Sequence, residues 1–290
     1  MSIQDRQSTF SGTKDVDERL AFDVNSLTEF LRFHLDGIDV DITVKQFKGG
    51  QSNPTYLIES SSAQFVLRRK PPGKLLKSAH AVDREYRVLS ALFRTPVPTP
   101  RTYLLCEDET VIGTAFYVME FVKGRTFWEP LLLQVEKADR RQVYFHACAA
   151  LASLHQVDPE KVGLADFGKP GNYIDRQISR WTKQYIASEV EHLPAVHALM
   201  NWLPERIPEQ KLSAIVHGDP RLDNMIFHAD RLEVAAMLDW AIRMVLLLGL
   251  PAALALVVSS PSRSTSASNC APNPSLPPPP SLLASVPAAR

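Results

Sequence analysis

The segment His217-Gly218-Asp219-Pro220-Arg221-Leu222-Asp223-Asn224 sets an acid and an amide five residues apart in one short loop, and Asp239 follows at the end of an apolar run. Phosphoryl transfer from a nucleotide needs such a set: an acid to orient and deprotonate an acceptor hydroxyl, and oxygen ligands for a Mg2+ bridging the phosphates. Asp219 fits the base, and Asn224 and Asp239 fit the metal. The spacing matches the His-x-Asp-x-x-x-x-Asn loop of kinases plus a metal-binding Asp, with Gly218 where that loop has Arg. In isolation Asp219 and Asn224 would be ordinary turn formers. The strands read at Ile215-Val216, Met225 to Phe227 and Val234 to Leu238 frame them in a way that a chance turn is not framed.

The groups that grip a nucleotide must come from upstream, where the chain reads as strands first and helices afterwards. Ile42 to Phe47, Thr55 to Glu59 and Gln64 to Arg68 alternate like an antiparallel meander. The first turn, Gly49-Gly50-Gln51-Ser52-Asn53, could bring the amides of Gly49, Gly50, Ser52 and Asn53 to phosphate oxygens. A Gly pair between strands is also the composition of a plain turn. A cation on the strand must come from VLRRK, and Arg68 stands at the strand end. Arginine there keeps a lysine's charge and adds a fork of donors. Ala79 to Phe93 reads as a helix with Val82, Tyr86, Leu89 and Phe93 as its apolar stripe. Glu85 beside that stripe is the acid that could orient the cation. Further helices are expected at Ala138 to Leu154, Tyr173 to Glu189 and Ala195 to Leu203, with Ile174, Ile178, Trp181 and Tyr185 sharing one face.

The 290 residues balance 32 Lys+Arg against 32 Asp+Glu, so the chain lacks the basic footprint of a nucleic-acid binder. Cys106, Cys148 and Cys270 form neither a disulfide framework nor a zinc motif. The N-terminus lacks the apolar stretch of a signal peptide, which makes a cytoplasmic location the default, with mitochondrial or peroxisomal association left open. After Trp240 the character changes: Arg243, Arg263 and Arg290 are the only charges that remain. Residues 244–258 are apolar, and 259–290 read as a disordered Ser/Pro-rich tail. The apolar run is short for a membrane span and is interrupted by Gly249 and Pro251. A tail anchor, a helix packed on the rest and an unpartnered sticky extension all remain open for it.

The stretches GGQSNPTYLI, FVLRRKPPGKLLKSAH, VIGTAFYVMEFVKGRTF, LASLHQVD and HGDPRLDNMIFH resemble the aminoglycoside phosphotransferase family, in particular the branch at the N-terminus of acyl-CoA dehydrogenase family members 10 and 11. The resemblance runs from about residue 25 to Trp240. It implies an α+β, protein-kinase-like two-lobed fold and an ATP- and Mg2+-dependent kinase acting on a small-molecule hydroxyl. Residues 1–24 would be a polar leader, 25–118 an antiparallel-sheet N-lobe, 119–124 the hinge and 125–240 a partial helical C-lobe. Glu120 and Val122 would present backbone groups to adenine, Arg68 would take the lysine role, Asp219 the base and Asn224 with Asp239 the metal. Two departures stand out. Pro220 replaces an aromatic residue and pushes Asp219 out of the α region. After Trp240 the family's acceptor-side helices are replaced by the apolar run and tail, so the C-lobe reads as truncated. The alternative to an active kinase is therefore an inactive, nucleotide-binding or regulatory module.

Overall fold

A computed structural model describes residues 3–38, 41–49, 53–73, 81–168, 172–208, 212–240 and 243–247. The first half is built on a six-stranded antiparallel sheet in the order β1-β2-β3-β4-β6-β5. Its strands are β1 (Thr13–Lys14), β2 (Thr43–Phe47), β3 (Thr55–Glu59), β4 (Gln64–Arg69), β5 (Thr102–Cys106) and β6 (Phe116–Glu120). Both faces of the central strands are covered, which explains why β3, β4 and β6 are almost continuously buried.

Alternation along the strands sorts the residues between two layers. Phe65, Leu67, Phe116 and Val118 face α2 (Val24–His34) and pack on its Leu27 and Leu31. Asp23 starts that helix by accepting hydrogen bonds from the amides of Asn25 and Ser26. Val66, Tyr117 and Met119 face the other way, onto α3 (Val82–Leu92) and the second lobe. The buried face of α3 is Val82, Glu85, Val88, Leu89 and Leu92, whereas Phe93 is exposed. The stripe expected from sequence is thus rotated, and Glu85 lies within it rather than beside it, because Arg68 offers the carboxylate a buried partner.

The second lobe packs α4 (Arg140–His155) through Val143, Ala147, Ala150 and Leu154 onto β7 (Leu212–Val216) and the hairpin of β8 (Met225–Phe227) with β9 (Val234–Met237). One cluster runs without a break from Val66 and Met119 through Leu154 and Phe227 to Trp240, so the lobes share a core. The start of the apolar run differs from the helix considered for it. Arg243–Leu247 form β10, antiparallel to β7, since a neighbouring strand supplies an edge whose backbone groups need partners. The rest of 244–258 and the Ser/Pro tail lie outside the described residues. Among the described residues no helix is long and apolar enough to cross a membrane.

Helices α5 (Tyr173–Ser188) and α6 (Pro194–Trp202) bury no residue at all. Trp181, on the face expected to pack, is 58% exposed, with the Arg180 guanidinium 5.6 Å from its ring centroid. Among the described residues, β1, β5 and a helix α1 (Ile3–Phe10) inside the stretch read as a polar leader have no counterpart in the sequence expectations.

Candidate active site

The end of β4 turns Arg68 toward the junction of the lobes, where its buried guanidinium meets two acids. Its Nε lies 2.9 Å from Glu85 Oε2 without hydrogen-bond alignment, and its Nη2 donates to Asp239 Oδ1. One cation thereby ties β4, α3 and the second residue after β9 together. Burial pushes the Glu85 carboxyl up while the facing guanidinium draws it back, and the two acids hold Arg68 firmly cationic. Tyr117, opposite Arg68 across the β4–β6 ladder, is fully buried beside the same acids, and its phenol is pushed well up by that burial. The Trp240 amide also donates to Glu85 Oε1 at 3.4 Å. Asp239 adopts φ +58, a left-handed conformation uncommon outside glycine that concentrates at functional sites.

The loop after β7 begins with His217, whose ring is wholly buried against Trp240 at a centroid distance of 4.5 Å. Burial lowers its pKa, which keeps the imidazole neutral, and its Nδ1 accepts from the Asp219 amide at 3.4 Å. Gly218 reaches φ +93, which explains a glycine where kinases carry Arg. Pro220 closes a tight turn in which the Arg221 amide donates to the Asp219 carbonyl at 2.9 Å. Asn224 then folds back, and its Nδ2 donates to the Asp219 carbonyl at 3.0 Å and to Asp219 Oδ2 at 3.3 Å. The Leu238 amide donates to the Asn224 carbonyl at 2.8 Å, which sets Asn224 next to Asp239. Arg221 and Asp223, left without a role in the sequence, brace this loop: Arg221 spans Asp219 at 3.4 Å and Asp223 at 3.1 Å.

The remaining candidates are placed less uniformly. A Cβ on Gly49 would fall 2.3 Å from Cη2 of Trp128, so its lack of a side chain answers an indole ring. Gly50 and Ser52 lie outside the described residues. Asn53 is buried at the foot of the turn, where its carbonyl accepts from Thr55 Oγ1 at 3.0 Å. In the hinge, the Glu120 amide is committed to the Arg101 carbonyl at 2.8 Å, and its carboxylate accepts from the Arg101 amide at 3.1 Å. Val122 has no backbone partner among the described residues and is the freer of the two.

Sequence reasoning missed Tyr117, Trp128 and Gln7. Gln7 of α1 donates to the Thr126 carbonyl at 2.8 Å and accepts from the Trp128 amide at 3.0 Å, and Phe10 packs on the Trp128 ring. No local pattern announces contacts across some 120 residues. Beside the loop, a cleft of about 370 Å³ is lined by Trp128, Tyr144, Cys148, Leu151, Pro220 and Arg221, with Arg6 at its edge.

Comparison with known proteins bears on the family and the fold. Residues 43–244 match the family described as phosphotransferase enzyme family. The chain is 43% identical over 229 residues to acyl-CoA dehydrogenase family member 10 of Mus musculus, which covers 79% of this chain and 21% of that protein. It is 43% identical over 224 residues to family member 11 of Rattus norvegicus, covering 76% of this chain and 29% of that one. The chain thus spans less than a third of the length of these relatives. A crystal structure from Ralstonia eutropha that carries the name aminoglycoside phosphotransferase superposes with a TM-score of 0.69 at 47% identity, over 76% of this chain and 65% of that one. The streptomycin-ATP complex of APH(2")-IIa shares the fold at a TM-score of 0.52 and 14% identity, over 77% of this chain and 72% of that one. The chain therefore belongs to the phosphotransferase enzyme family and has the kinase-like fold of the aminoglycoside phosphotransferases, an antiparallel-sheet lobe joined to a helical one.

Proposed function

We propose that this chain transfers the γ-phosphoryl group of ATP to a hydroxyl of a small molecule. The observation that carries the reading is the convergence, on one junction, of the Arg68–Glu85–Asp239 bridge with the loop that holds Asp219 and Asn224. Arg68 is the cation that grips nucleotide phosphates, and Glu85 holds it in place. Asn224 spends only its amide nitrogen on Asp219, so its side-chain oxygen and the 40%-exposed Asp239 carboxylate form a hard oxygen pair suited to Mg2+. Bound there, Mg2+ would neutralise charge on the phosphates. Asp219 takes the proton of the acceptor hydroxyl as that oxygen bonds to the γ-phosphorus. The bond from phosphorus to the bridging oxygen breaks, and ADP leaves with the electron pair. Asn224 Nδ2 and Arg221 keep the Asp219 carboxylate aimed while it waits for the proton.

The cleft beside Asp219 supports an amphipathic acceptor, because Trp128, Tyr144 and Leu151 offer apolar surface and Arg221 a charge. Together with the dehydrogenase names of the relatives, this favours a hydroxylated acyl derivative over a sugar. The test is transfer of label from γ-labelled ATP to hydroxylated acyl compounds. Asp219→Asn should lower turnover by ~100-fold or more, as loss of a general base does, with nucleotide affinity kept within a few fold. Asp239→Ala should abolish the Mg2+-dependent part of the thermal stabilisation by ATP, about 2.7 kcal/mol at a hundredfold excess over Kd. Parental turnover in Asp219→Asn, or an undiminished Mg2+ effect in Asp239→Ala, refutes the corresponding role. The uncovered faces of α5 and α6 favour one other reading, a nucleotide-binding module without turnover. Stabilisation by Mg-ATP with no labelled product would select it.

A further inference from the structure

The elbow between α5 and α6 gathers three metal-ligating side chains that phosphoryl transfer does not use. Glu189 caps the end of α5, His192 sits in the turn, and His197 lies on the first turn of α6. One ligand atom from each falls within 4.8 Å of the others. Glu189 Oε1 is 2.6 Å from His197 Nε2 and 3.6 Å from His192 Nδ1, and the two imidazoles face each other with centroids 4.1 Å apart. A cation bound tetrahedrally at ~2.0–2.1 Å from each ligand needs these atoms roughly 3.3 Å apart, which side-chain rotations of about 1 Å would reach.

Two further features call for a cation at this place. The Glu189 carboxylate stands at the negative end of the α5 dipole, and the last turn of α5 contains no basic residue. Neither helix has a fully buried residue, and Tyr185 of α5 meets the His197 ring edge-on at 6.0 Å, so the elbow has little of the apolar packing that usually fixes such an angle and a cross-link from residue 189 to residue 197 would add to the constraint.

We propose that Glu189, His192 and His197 bind a late first-row divalent cation, Zn2+ by the chemistry of the set, with water completing the coordination and the metal fastening α5 to α6. Two imidazole nitrogens and one carboxylate suit zinc and its neighbours in the series, whereas Mg2+ prefers oxygen and keeps its water. The site is therefore chemically separate from the oxygen pair at Asn224 and Asp239.

The experiment uses the full chain without an affinity tag. Titration with Zn2+ in millimolar Mg2+ should show one equivalent bound, and Co2+ in its place should give the visible absorption of a four-coordinate nitrogen and oxygen site. Glu189→Gln should weaken zinc by more than the ~10–100-fold that loss of an outer-shell partner costs. His192→Ala with His197→Ala should abolish the bound equivalent while leaving the far-UV circular dichroism unchanged, since His192 and His197 side chains are 65% and 31% exposed and carry no core. Failure to bind at micromolar zinc, retention of the equivalent in the double variant, or its displacement by Mg2+ would each overturn the proposal.

Discussion

Arg68 and Arg69 are adjacent on β4, both buried, and point into opposite layers of the molecule. Arg68 enters the lobe junction, where its partners are the carboxylates of Glu85 and Asp239. Arg69 enters the layer under the N-terminal segment, where its partners are neutral. It donates to the carbonyls of Ile112 at 3.1 Å and Leu20 at 2.8 Å and lies over the rings of Phe22 and Tyr56. One residue of strand alternation thus separates a cation paired with two carboxylates at the lobe junction from a cation used to pin backbone. The difference teaches that burial of a charge does not mark function. Arg68 differs in that its acids come from two other elements and meet it at the junction of the lobes.

The strongest way to break that contrast is Arg68→Met. It strands Glu85 in the junction without a counter-charge, and removing one partner of a buried pair costs about 3–5 kcal/mol. We expect a large loss in urea stability together with loss of stabilisation by Mg-ATP. Pairing it with Glu85→Leu should restore much of the stability and none of the nucleotide response. A single variant with parental stability would show that the bridge does not hold the lobes.

Arg69→Met sharpens the contrast from the other side. It leaves the Ile112 carbonyl without its Arg69 donor, at about 1–3 kcal/mol for an unmet buried group, whereas the Leu20 carbonyl still accepts from the Tyr56 hydroxyl at 3.1 Å. Stability should fall by roughly 1–3 kcal/mol on that basis, yet the folded fraction should bind nucleotide with parental affinity. Weakened binding at constant folded fraction would erase the distinction between the two arginines.

The same alternation explains what the sequence revealed. β3 and β4 were legible because apolar runs bounded by Gly, Ser and Pro leave few alternatives, and the neighbourhood of Asp219 and Asn224 was legible because both sit in one short loop. The contact of Arg68 with Asp239, 171 residues on, was not among the expectations, since no local pattern encodes it. α1 was invisible, because IQDRQSTF has no apolar stripe and its place is fixed by Gln7 gripping the backbone at Thr126 and Trp128. The turn of α3 was misjudged for a related reason: an acid was assumed to lie off the buried face, and its partner from β4 drew it in.

A smaller effect is expected from pH. His217 is buried and its folded-state pKa lies below the unfolded value of 6.5, as does that of His155, both through desolvation. Below pH 6.5 the unfolded chain therefore binds protons that the folded chain refuses. Stability should be level above that point and fall as pH drops, by at most about 1.4 kcal/mol per pH unit for each group, until the folded-state pKa is passed. His217→Gln should flatten this limb in urea melts between pH 7 and 5, and an unaltered slope would place the dependence elsewhere.

The smallest effect concerns the arginine of the exposed loop. Arg221 touches Asp219 at 3.4 Å and Asp223 at 3.1 Å, but its side chain is 59% exposed and water screens both contacts. Exposed pairs of this kind are worth about 0–1 kcal/mol. Arg221→Ala should therefore leave the melting temperature nearly unchanged, in opposition to either buried arginine of β4. Its effect on phosphoryl transfer should also be modest. Asn224 still donates to the Asp219 carboxylate at 3.3 Å, so the proposed base keeps one of its two guides. A fall in kcat of a few fold with an unchanged KM for ATP is the outcome that fits a bracing role. A loss near that of Asp219→Asn would instead put Arg221 in direct contact with the transferring group, and the loop would then hold a third arginine function beside the two of β4.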